Sequence, residues 1–538
     1  MTTVLAAAPK APDIDWAGLS PLLALLVGAC VVLMVGLLGA AWVRQTLVPA
    51  LSIASFGAAI GLLIWQWNED LDLIEGAVAL DGLTILVTLL VCVTGIAATL
   101  LAWRGRAARE IAHGEFFALL LTASAGMIVL AGAQNLVSTF VGLELLSLPL
   151  YILCAARLRS ERSLESGLKY LIVGSVGSAT ALYGMAMLYG ATGETDYAAI
   201  AQQVTAQDLA GDGLFLAAIA MITVGFAFKA SLAPFHQWTP DVYEGAPTSI
   251  TAFMSVATKV AAFGAIIRLY DTALISAVDD WRPVWITIAL ISILVGNAGA
   301  LGQASLKRML AYSSIAQAGY LLVGVVVVTD LGVQAVLFYL AVYLLANITA
   351  FAVVILRERE TPYGDDLRAL HGLGERRPLM ALAMTLSMLS LAGIPATAGF
   401  IGKFRLIEAA ADGGYTWLGI AIVVGSMISL AYYLPVGAAM WRDAPDAEPG
   451  VDPFTGRAVL AGGALEGDAA GTGADLGAGS AATSDGDDAS EARGSAAGPQ
   501  PEVQFVALLA GAVILFFGVV PQPLFDLVRD AASGLGLA

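Results

Sequence analysis

Four ionisable residues lie inside apolar stretches of this sequence, where a charged side chain is costly. They are Glu144, Lys229, Lys259 and Lys403. A carboxylate or ammonium group within a bilayer is rare and usually lines a polar cavity or a proton route, because burying it costs several kcal/mol at the least. The pKa values of both residue types move strongly with burial and with a charged neighbour. These residues therefore predict a membrane protein that loads and releases protons.

The stretch that carries Lys229 also contains a helix break. Five residues later, Pro234 removes a backbone donor, and polar residues follow before the apolar sequence resumes. His236 lies in this polar part and is a secondary candidate for the same site. A second break, at Pro395, precedes Lys403. Two proline-interrupted segments at corresponding places in two halves are typical of repeated transporter folds with polar sites at the breaks.

Each charge also has a structural interpretation. Glu144 can be a neutral, hydrogen-bonded group, although Lys229 also needs a partner and so favours a functional ion pair. Lys259 has no carboxylate within a helical turn, and snorkelling to a membrane surface would strain its side chain. Glu165 and Lys169 stand at i and i+4 on one helix face and are secondary candidates. Their alternative role is a salt bridge at a helix start.

Composition sets the fold class. The chain has 538 residues, of which 58% are hydrophobic and 13% charged, and its mean hydropathy is +0.81. Since about 20 apolar residues cross a bilayer, these values predict an all-α polytopic membrane protein with about 14 transmembrane helices, the seventh and twelfth broken. The predicted spans lie near residues 20–42, 47–65, 82–103, 116–133, 136–156, 166–190, 213–232, 248–270, 284–302, 309–328, 332–356, 378–410, 415–440 and 503–520.

Loop charges predict the orientation. Alternate loops carry arginine and lysine, whereas the loops between them are acidic or neutral, and the positive-inside rule places the basic loops in the cytoplasm. Both termini are then expected on the outer side. The basic residues are Arg44, Arg104, Arg106, Arg109, Arg157, Arg159, Arg162, Lys307, Arg308, Arg357, Arg359, Arg368, Arg376 and Arg377.

The segment from Asp443 to Glu502 differs from the rest of the chain. It is rich in Gly, Ala, Ser and Asp, and it holds twelve acidic and two basic residues, or ten of the seventeen net negative charges. Such a composition cannot bury enough apolar surface to fold alone. We expect residues 443–502 to form an acidic, disordered cytoplasmic loop.

Several kinds of site have no sequence signal. The three cysteines sit in apolar runs without paired spacing, and three histidines do not predict a metal cluster. There is no CxxC, no P-loop and no GxGxxG that opens a soluble helix. We therefore expect this chain to bind no cofactor and no metal. We expect its partners to be the lipid bilayer and other proteins, and we expect no nucleic acid partner.

Four motifs carry a resemblance to a known family. The stretches FKASLAPFHQWTPDVYEGAPT, LKYLIVGSVGSA, GQASLKRMLAYSSIAQAGY and LAGIPATAGFIGKF, together with the fourteen-helix plan, resemble the antiporter-like subunits of proton-pumping NADH:quinone oxidoreductase, respiratory complex I. The likeness is to subunit N, the mitochondrial subunit 2 type, and covers all fourteen predicted helices. The acidic segment at 443–502 departs from the family pattern.

The resemblance implies two inverted five-helix repeats with a line of charged residues along the membrane midplane. It implies that Glu144 is the helix-five glutamate, Lys229 its helix-seven partner, Lys259 the connecting lysine and Lys403 the terminal lysine, with Glu165 and Lys169 as the helix-six charges. A lysine at position 403 favours the N type over the M type. The implied divisions are helices 1–3 at 1–112, repeats at 113–270 and 271–442, the loop at 443–502, and the last helix with its tail at 503–538.

The resemblance also implies a function in which this chain pumps protons and other subunits do the redox chemistry. The complex would use NADH, FMN, iron–sulfur clusters and quinone, none bound by this chain. The implied partners are subunit M and the small K- and J-type subunits, in the plasma membrane of a respiring cell. Two alternatives stay open: an antiporter-like subunit of a cation/proton exchanger or membrane-bound hydrogenase, and a multipass scaffold that does not pump.

Overall fold

The computed structural model describes residues 14–67, 69–361, 363–442 and 500–532. Within these ranges the chain is almost entirely helical, because its long apolar runs can satisfy their backbone groups in a bilayer only by internal hydrogen bonds. The first eleven helices are α1 (Ser20–Gly36), α2 (Val43–Trp65), α3 (Gly82–Ala102), α4 (Arg106–Ile111), α5 (His113–Gly132), α6 (Leu136–Cys154), α7 (Glu161–Thr192), α8 (Tyr197–Ala206), α9 (Gly213–Lys229), α10 (Trp238–Gly245) and α11 (Thr248–Ala273).

The remaining helices begin with α12, whose first three residues, Ile275–Ala277, form a turn of 3₁₀ helix. They are α12 (Ile275–Ala300), α13 (Leu306–Val326), α14 (Asp330–Glu360), α15 (Leu373–Arg376), α16 (Pro378–Ala392), α17 (Ala398–Asp412), α18 (Thr416–Met440), α19 (Pro501–Val519) and α20 (Gln522–Ala532). The predicted acidic loop lies outside the described residues, except for its last three positions, and α19 begins two residues before the predicted boundary.

The all-α membrane fold is confirmed. In the described ranges, eleven helices are long and apolar enough to cross a membrane, and three shorter apolar helices, α1, α9 and α16, accompany them. The last two are the first halves of the broken segments. The exact number of crossings stays a prediction, because length and composition alone define these candidates.

The helices of the two predicted repeats follow the same order. Apart from the short connecting helix α8, the order in residues 113–270 is α5, α6, α7, the broken pair α9 and α10, and then α11. Apart from the short connecting helix α15, the order in residues 271–442 is α12, α13, α14, the broken pair α16 and α17, and then α18. In both, the fourth member is interrupted, as Pro234 and Pro395 predicted. The helices nearest the centre are α11, α13 and α14, which are buried along almost their whole length.

A two-stranded hairpin marks one end of the molecule. Strand β1 (Leu71–Leu73) pairs antiparallel with β2 (Val78–Leu80). The residues just before α1 pack on β1, and Ala531 of α20 packs against Gly82. We call this the hairpin end. Both ends of the described chain therefore lie on the same side of the protein.

The opposite end gathers basic residues, and we call it the arginine end. Arg104 pairs with Glu502 at 3.4 Å. The Arg359 guanidinium donates to the Leu101 carbonyl oxygen at 3.3 Å and to Gln500 Oε1 at 3.0 Å. These contacts join the N-terminal helices, α14 and the start of α19.

Candidate functional site

The first helix break follows Lys229 directly. Helix α9 ends at Lys229, and α10 resumes at Trp238. The backbone groups that the break frees find specific partners, as buried groups must. The Phe228 carbonyl accepts from the Trp238 indole at 3.2 Å, and the Ala233 amide donates to Ser292 Oγ at 2.9 Å. The break is thus an ordered part of the site.

The Lys229 ammonium is buried and held by a hydroxyl. Its exposed fraction is 2%, and its Nζ donates to Ser147 Oγ of α6 at 2.6 Å. Ser147 in turn donates to the Leu143 carbonyl of its own helix. The ring of Tyr170 lies 5.7 Å from the ammonium, within the range of a cation–π contact. Within the part of the chain that the structure describes, Lys229 therefore has polar contacts but no direct counter-ion.

Glu144 lies one helical turn before Ser147 on α6. Among the ion pairs of the described residues, none joins Glu144 to Lys229, although the Glu144 charge acts on the ammonium through space. Glu144 is half-buried, and its Oε1 is buried without a hydrogen-bond partner in the described part of the chain. The sequence predicted Glu144 as the partner, whereas the hydrogen-bond partner of Lys229 in the structure is Ser147. Their joint function stays a prediction.

Lys259 lies near the middle of α11 and is fully buried. A π-helical turn, Met254–Thr258, comes directly before it, and such turns are frequent at functional sites. The Lys259 ammonium donates to the carbonyl oxygen of Ala230 at 3.0 Å. Ala230 follows Lys229, so Lys259 reaches the first helix break. Sequence reasoning placed Lys259 between two sites but did not locate this contact.

The second break holds Lys403 in the same way. Helix α16 ends at Ala392, and Gly393 adopts a left-handed conformation with φ of +83°. The Lys403 ammonium donates to the Leu391 carbonyl at 2.7 Å and to the Ala392 carbonyl at 3.2 Å. It also lies 5.0 Å from the centre of the Tyr320 ring.

The two breaks share one arrangement. At each, a buried lysine donates to carbonyl groups at the C-terminal end of the first half-helix. That end carries the negative part of the helix dipole and the carbonyls left without an intrahelical donor, so a cation is favoured there. Lys259 occupies this place at the first break and Lys403 at the second. The pattern makes Lys259 the structural counterpart of Lys403.

Glu165 and Lys169 belong to a larger charged network at the arginine end. The i and i+4 pair is present, with Lys169 Nζ 2.6 Å from Glu165 and 3.0 Å from Asp241. Arg308 also contacts Asp241, at 2.8 Å, and Glu244 at 2.9 Å. The network joins α7, α10 and α13, and lines an open cavity of about 240 Å³. Helix α10 therefore connects the first break to the surface of this end.

The structure places His236 in the loop of the first break, half-buried, with Nδ1 lacking a hydrogen-bond partner among the described residues. It is not in contact with Lys229 through any of the hydrogen bonds or ion pairs found in the described ranges. These contacts do not test the predicted role of His236 as a secondary residue of the proton site. In those same ranges, no three His, Cys, Asp or Glu side chains gather as a metal site would require.

Sequence reasoning missed a buried ion pair at the hairpin end. Arg268, near the end of α11, contacts Asp81 at 2.7 Å and donates to the Ala131 carbonyl at 2.6 Å. Asp81 also caps α3 by accepting from the Thr84 amide. Burial raises the pKa of the Asp81 carboxyl, but the charge and hydrogen bond of Arg268 outweigh it and hold the pKa below its usual value. The two residues are 187 positions apart, so local patterns could not pair them.

Comparisons with known proteins agree with this geometry. The sequence profile described as "NADH:quinone oxidoreductase/Mrp antiporter, TM" matches residues 133–429, a range that contains both breaks together with Glu144, Lys229, Lys259 and Lys403. A NADH-quinone oxidoreductase subunit N from Trichlorobacter lovleyi is 42% identical over 388 residues, covering 72% of this chain and 79% of that protein. A NAD(P)H-quinone oxidoreductase subunit 2 from Synechococcus elongatus is 43% identical over 398 residues, covering 73% and 75%.

Solved structures show the same architecture. A chain of respiratory complex I from Thermus thermophilus with bound aureothin superposes with a TM-score of 0.72 at 31% identity, over 94% of this chain and 98% of that one. A chain of the Mrp complex from a Dietzia species superposes with a TM-score of 0.77 at 24% identity, over 96% and 97%. The second likeness concerns the fold alone.

Proposed function

The chain belongs to the NADH:quinone oxidoreductase/Mrp antiporter family of membrane proteins, in its subunit N branch, and on that premise we propose that Glu144, Lys229, Lys259 and Lys403 form its proton relay. The chain is a proton-translocating membrane subunit of a NADH-quinone oxidoreductase, a translocase. Electron transfer from NADH to quinone, with its FMN and iron–sulfur centres, belongs in our proposal to other subunits.

The observation that carries the proposal is the environment of the three lysines. Each is at least nine-tenths buried, with exposed fractions of 2%, 0% and 4% for Lys229, Lys259 and Lys403. No ion pair of the described residues includes any of them; their ammonium groups donate to hydroxyl or carbonyl oxygens. A purely structural cation in such a place is normally fixed by a carboxylate. Groups held by neutral oxygens alone are suited to gaining and losing a proton.

The contacts support an order along the relay. The Lys259 ammonium binds the carbonyl of Ala230, next to Lys229, so these two lysines are neighbours across the first break. Lys403 lies at the second break, on α17. Glu144 acts electrostatically on Lys229, and a change in its charge would alter how readily Lys229 holds its proton. We therefore order the relay as Glu144, Lys229, Lys259 and Lys403.

The network of Glu165, Lys169, Asp241, Glu244 and Arg308 suits proton uptake. It is open to solvent at the arginine end, and α10 leads from it to the first break. The basic loops that meet at this end favour the cytoplasm as its location, which would place both termini on the outer side of the plasma membrane. Subunit M and the small K- and J-type subunits are the partners we propose for the exposed faces of the helices.

The test compares two replacements of Lys403. A guanidinium keeps the positive charge but does not release its proton at any ordinary pH. If Lys403 passes protons on, Lys403→Arg and Lys403→Ala should both reduce NADH-driven proton uptake, by about tenfold or more. The measurement is proton uptake by inverted membrane vesicles, normalised to the amount of assembled complex.

Arg405, two residues further along α17, provides the matched control. It is paired with Glu408 at the protein surface, so Arg405→Lys should leave proton uptake unchanged. Full pumping by Lys403→Arg would remove Lys403 from the relay and leave it a source of positive charge. Full pumping by Lys403→Ala as well would favour a scaffold without a pumping role.

A further inference from the structure

Gln317 on α13 is a fully buried amide, and both of its polar atoms are hydrogen-bonded. Its Nε2 donates to the Leu391 carbonyl at 3.1 Å and to the Tyr433 hydroxyl at 3.2 Å. Its Oε1 accepts from the Tyr339 hydroxyl. An amide nitrogen has two hydrogen atoms to donate and the amide oxygen only accepts. The three bonds therefore fix the direction in which the amide points.

The Leu391 carbonyl that Gln317 binds is also bound by the Lys403 ammonium, at 2.7 Å. It is one of the last carbonyls of α16, which helix geometry leaves without an intrahelical donor. A buried carbonyl without any donor is strongly destabilising. Gln317 supplies a donor that does not depend on the protonation of Lys403, so the carbonyl stays satisfied when Lys403 loses its proton.

The two tyrosines that orient Gln317 are themselves held by neighbouring helices. Tyr339 of α14 packs on α17 beside Lys403, because a Cβ atom on Gly402 would lie 2.5 Å from the Tyr339 ring. The Tyr433 hydroxyl of α18 shares a hydrogen bond with Ser313 of α13. Both tyrosine side chains are at most 1% exposed. The amide is thus fixed by residues of three helices around the second break.

The position of Gln317 in α13 corresponds to that of Ser147 in α6. Each helix is capped by the residue before it, Asn135 or Ser305, and each of these caps forms an isolated β-bridge to a residue that caps a later helix. Ser147 and Gln317 are both the twelfth residue of their helix. Ser147 accepts directly from Lys229, whereas Gln317 binds the carbonyl on which the lysine of the second break rests.

We propose that Gln317 is a positioning residue for Lys403, which holds the Leu391 carbonyl while Lys403 gains and releases its proton. The proposal rests on the relay function proposed for Lys403. Gln317 neither accepts nor releases a proton; its bond to the carbonyl is the same in both states of the lysine. It therefore offsets the weakening of the bond from Lys403 that accompanies proton release, and makes that release easier.

The test is Gln317→Met, which keeps the length of the side chain and removes its amide. The Leu391 carbonyl then depends on Lys403 alone, and Lys403 should hold its proton more tightly, since a hydrogen bond to the charged form favours that form. NADH-driven uptake by inverted vesicles, per assembled complex, should fall by about tenfold at neutral pH. Its pH dependence should move upward by about one pH unit, because a tenfold change in proton binding is one pKa unit.

A second variant, Tyr339→Phe, keeps Gln317 and removes only the hydroxyl that orients it, so the pH dependence should move in the same direction by a smaller amount. The matched control is Asn347→Leu. Asn347 is a buried amide of α14 that donates to the Tyr343 carbonyl of its own helix at 2.9 Å, and its loss should leave the pH dependence as in the wild type.

The outcomes separate this role from the relay. A merely structural Gln317 would lower uptake by the same factor at every pH, and an unshifted pH dependence in Gln317→Met overturns the proposal while an impaired Lys403→Ala keeps the relay. If Lys403→Ala pumps normally, the relay fails first. If Gln317→Met does not assemble, Tyr339→Phe decides, and an unshifted pH dependence in that variant overturns the positioning role. An equal shift in Asn347→Leu would show a general effect of buried amides and also overturns it.

Discussion

At the scale of single residues, the direct partner of Lys229 is Ser147. Lys229 donates to Ser147 Oγ at 2.6 Å, whereas Glu144 acts on it only through space. A hydroxyl can both accept the ammonium proton and donate its own. Ser147 is therefore placed to fix the position of Lys229.

Ser147→Ala is expected to slow proton uptake by about tenfold. Hydrogen bonds to charged groups contribute about 1.5–3 kcal/mol, and about 1.4 kcal/mol corresponds to a factor of ten. The assay is NADH-driven uptake per assembled complex. Ser124→Ala is the control, since Ser124 is a buried serine whose hydroxyl donates to Leu120 of its own helix. Uptake at the wild-type rate in Ser147→Ala would show that the contact has no part in transfer.

The candidate site residues could be selected from the sequence, but their contacts could not. An ionisable residue in an apolar run stands out because burial penalises it, and this signal found Glu144, Lys229, Lys259 and Lys403. The partners Ser147 and Ala230 are ordinary residues of membrane helices and carry no such signal. Asp81 and Arg268 were missed because each lies near the end of an apolar run, where a charge is unremarkable.

At the scale of elements, the two breaks are defined by how each helix ends. Gly393 has φ of +83°, and a Cβ atom there would lie 2.9 Å from Lys403 Cδ. Glycine adopts this backbone conformation without a steric penalty. Gly393 therefore has two roles. It terminates α16, and it leaves room for Lys403, which binds the final carbonyl groups of that helix.

Gly393→Ala is expected to impair pumping more than assembly. Alanine would strain the left-handed backbone by about 1 kcal/mol and would push Lys403 away from the Leu391 carbonyl. Gly414→Ala is the matched control, because Gly414 has φ of +80° and no atom within 4 Å of its Cβ position. The backbone strain is similar in both variants. A difference between them in NADH-driven proton uptake therefore reports the contact with Lys403. Equal pumping by the two would contradict a role for this close contact.

The spans were predictable because membrane helices carry a strong signal in apolar length. Predicted and observed bounds agree within a few residues for most helices. Proline and glycine also predicted the two breaks. The π-helical turn before Lys259 was not predictable, because one extra residue in a helical turn leaves the apolar composition unchanged.

At the scale of the whole molecule, the arginine end joins parts that are distant in sequence. Arg359 of α14 contacts Leu101 of α3 and Gln500, and Arg104 pairs with Glu502 at the start of α19. Residues 500–502 therefore belong to the folded protein, although the sequence assigned them to the acidic loop by composition. The charge pattern identified the loop, but it did not identify the residue at which the packed structure resumes.

Deleting residues 449–499 should leave assembly and NADH:quinone activity nearly unchanged, because their composition predicts little burial. Extending the deletion by one residue removes Gln500 and its hydrogen bond to Arg359, worth about 2 kcal/mol, and should lower the yield of assembled complex. Native gels and quinone-reductase assays measure both. A loss of assembly with the shorter deletion would instead reveal a docking role for the loop.

The depth of the two breaks has an electrical consequence. Lys229 and Lys403 lie where their spans are interrupted midway, and Lys259 lies near the middle of Thr248–Ala273. In the proposed relay, a proton that passes among them would move parallel to the membrane faces and would cross almost none of the membrane potential. Moving one charge through the full potential costs about 2.3 kcal/mol per 100 mV. In this proposal, work against the membrane potential would be done only where a proton moves between a break and either membrane surface.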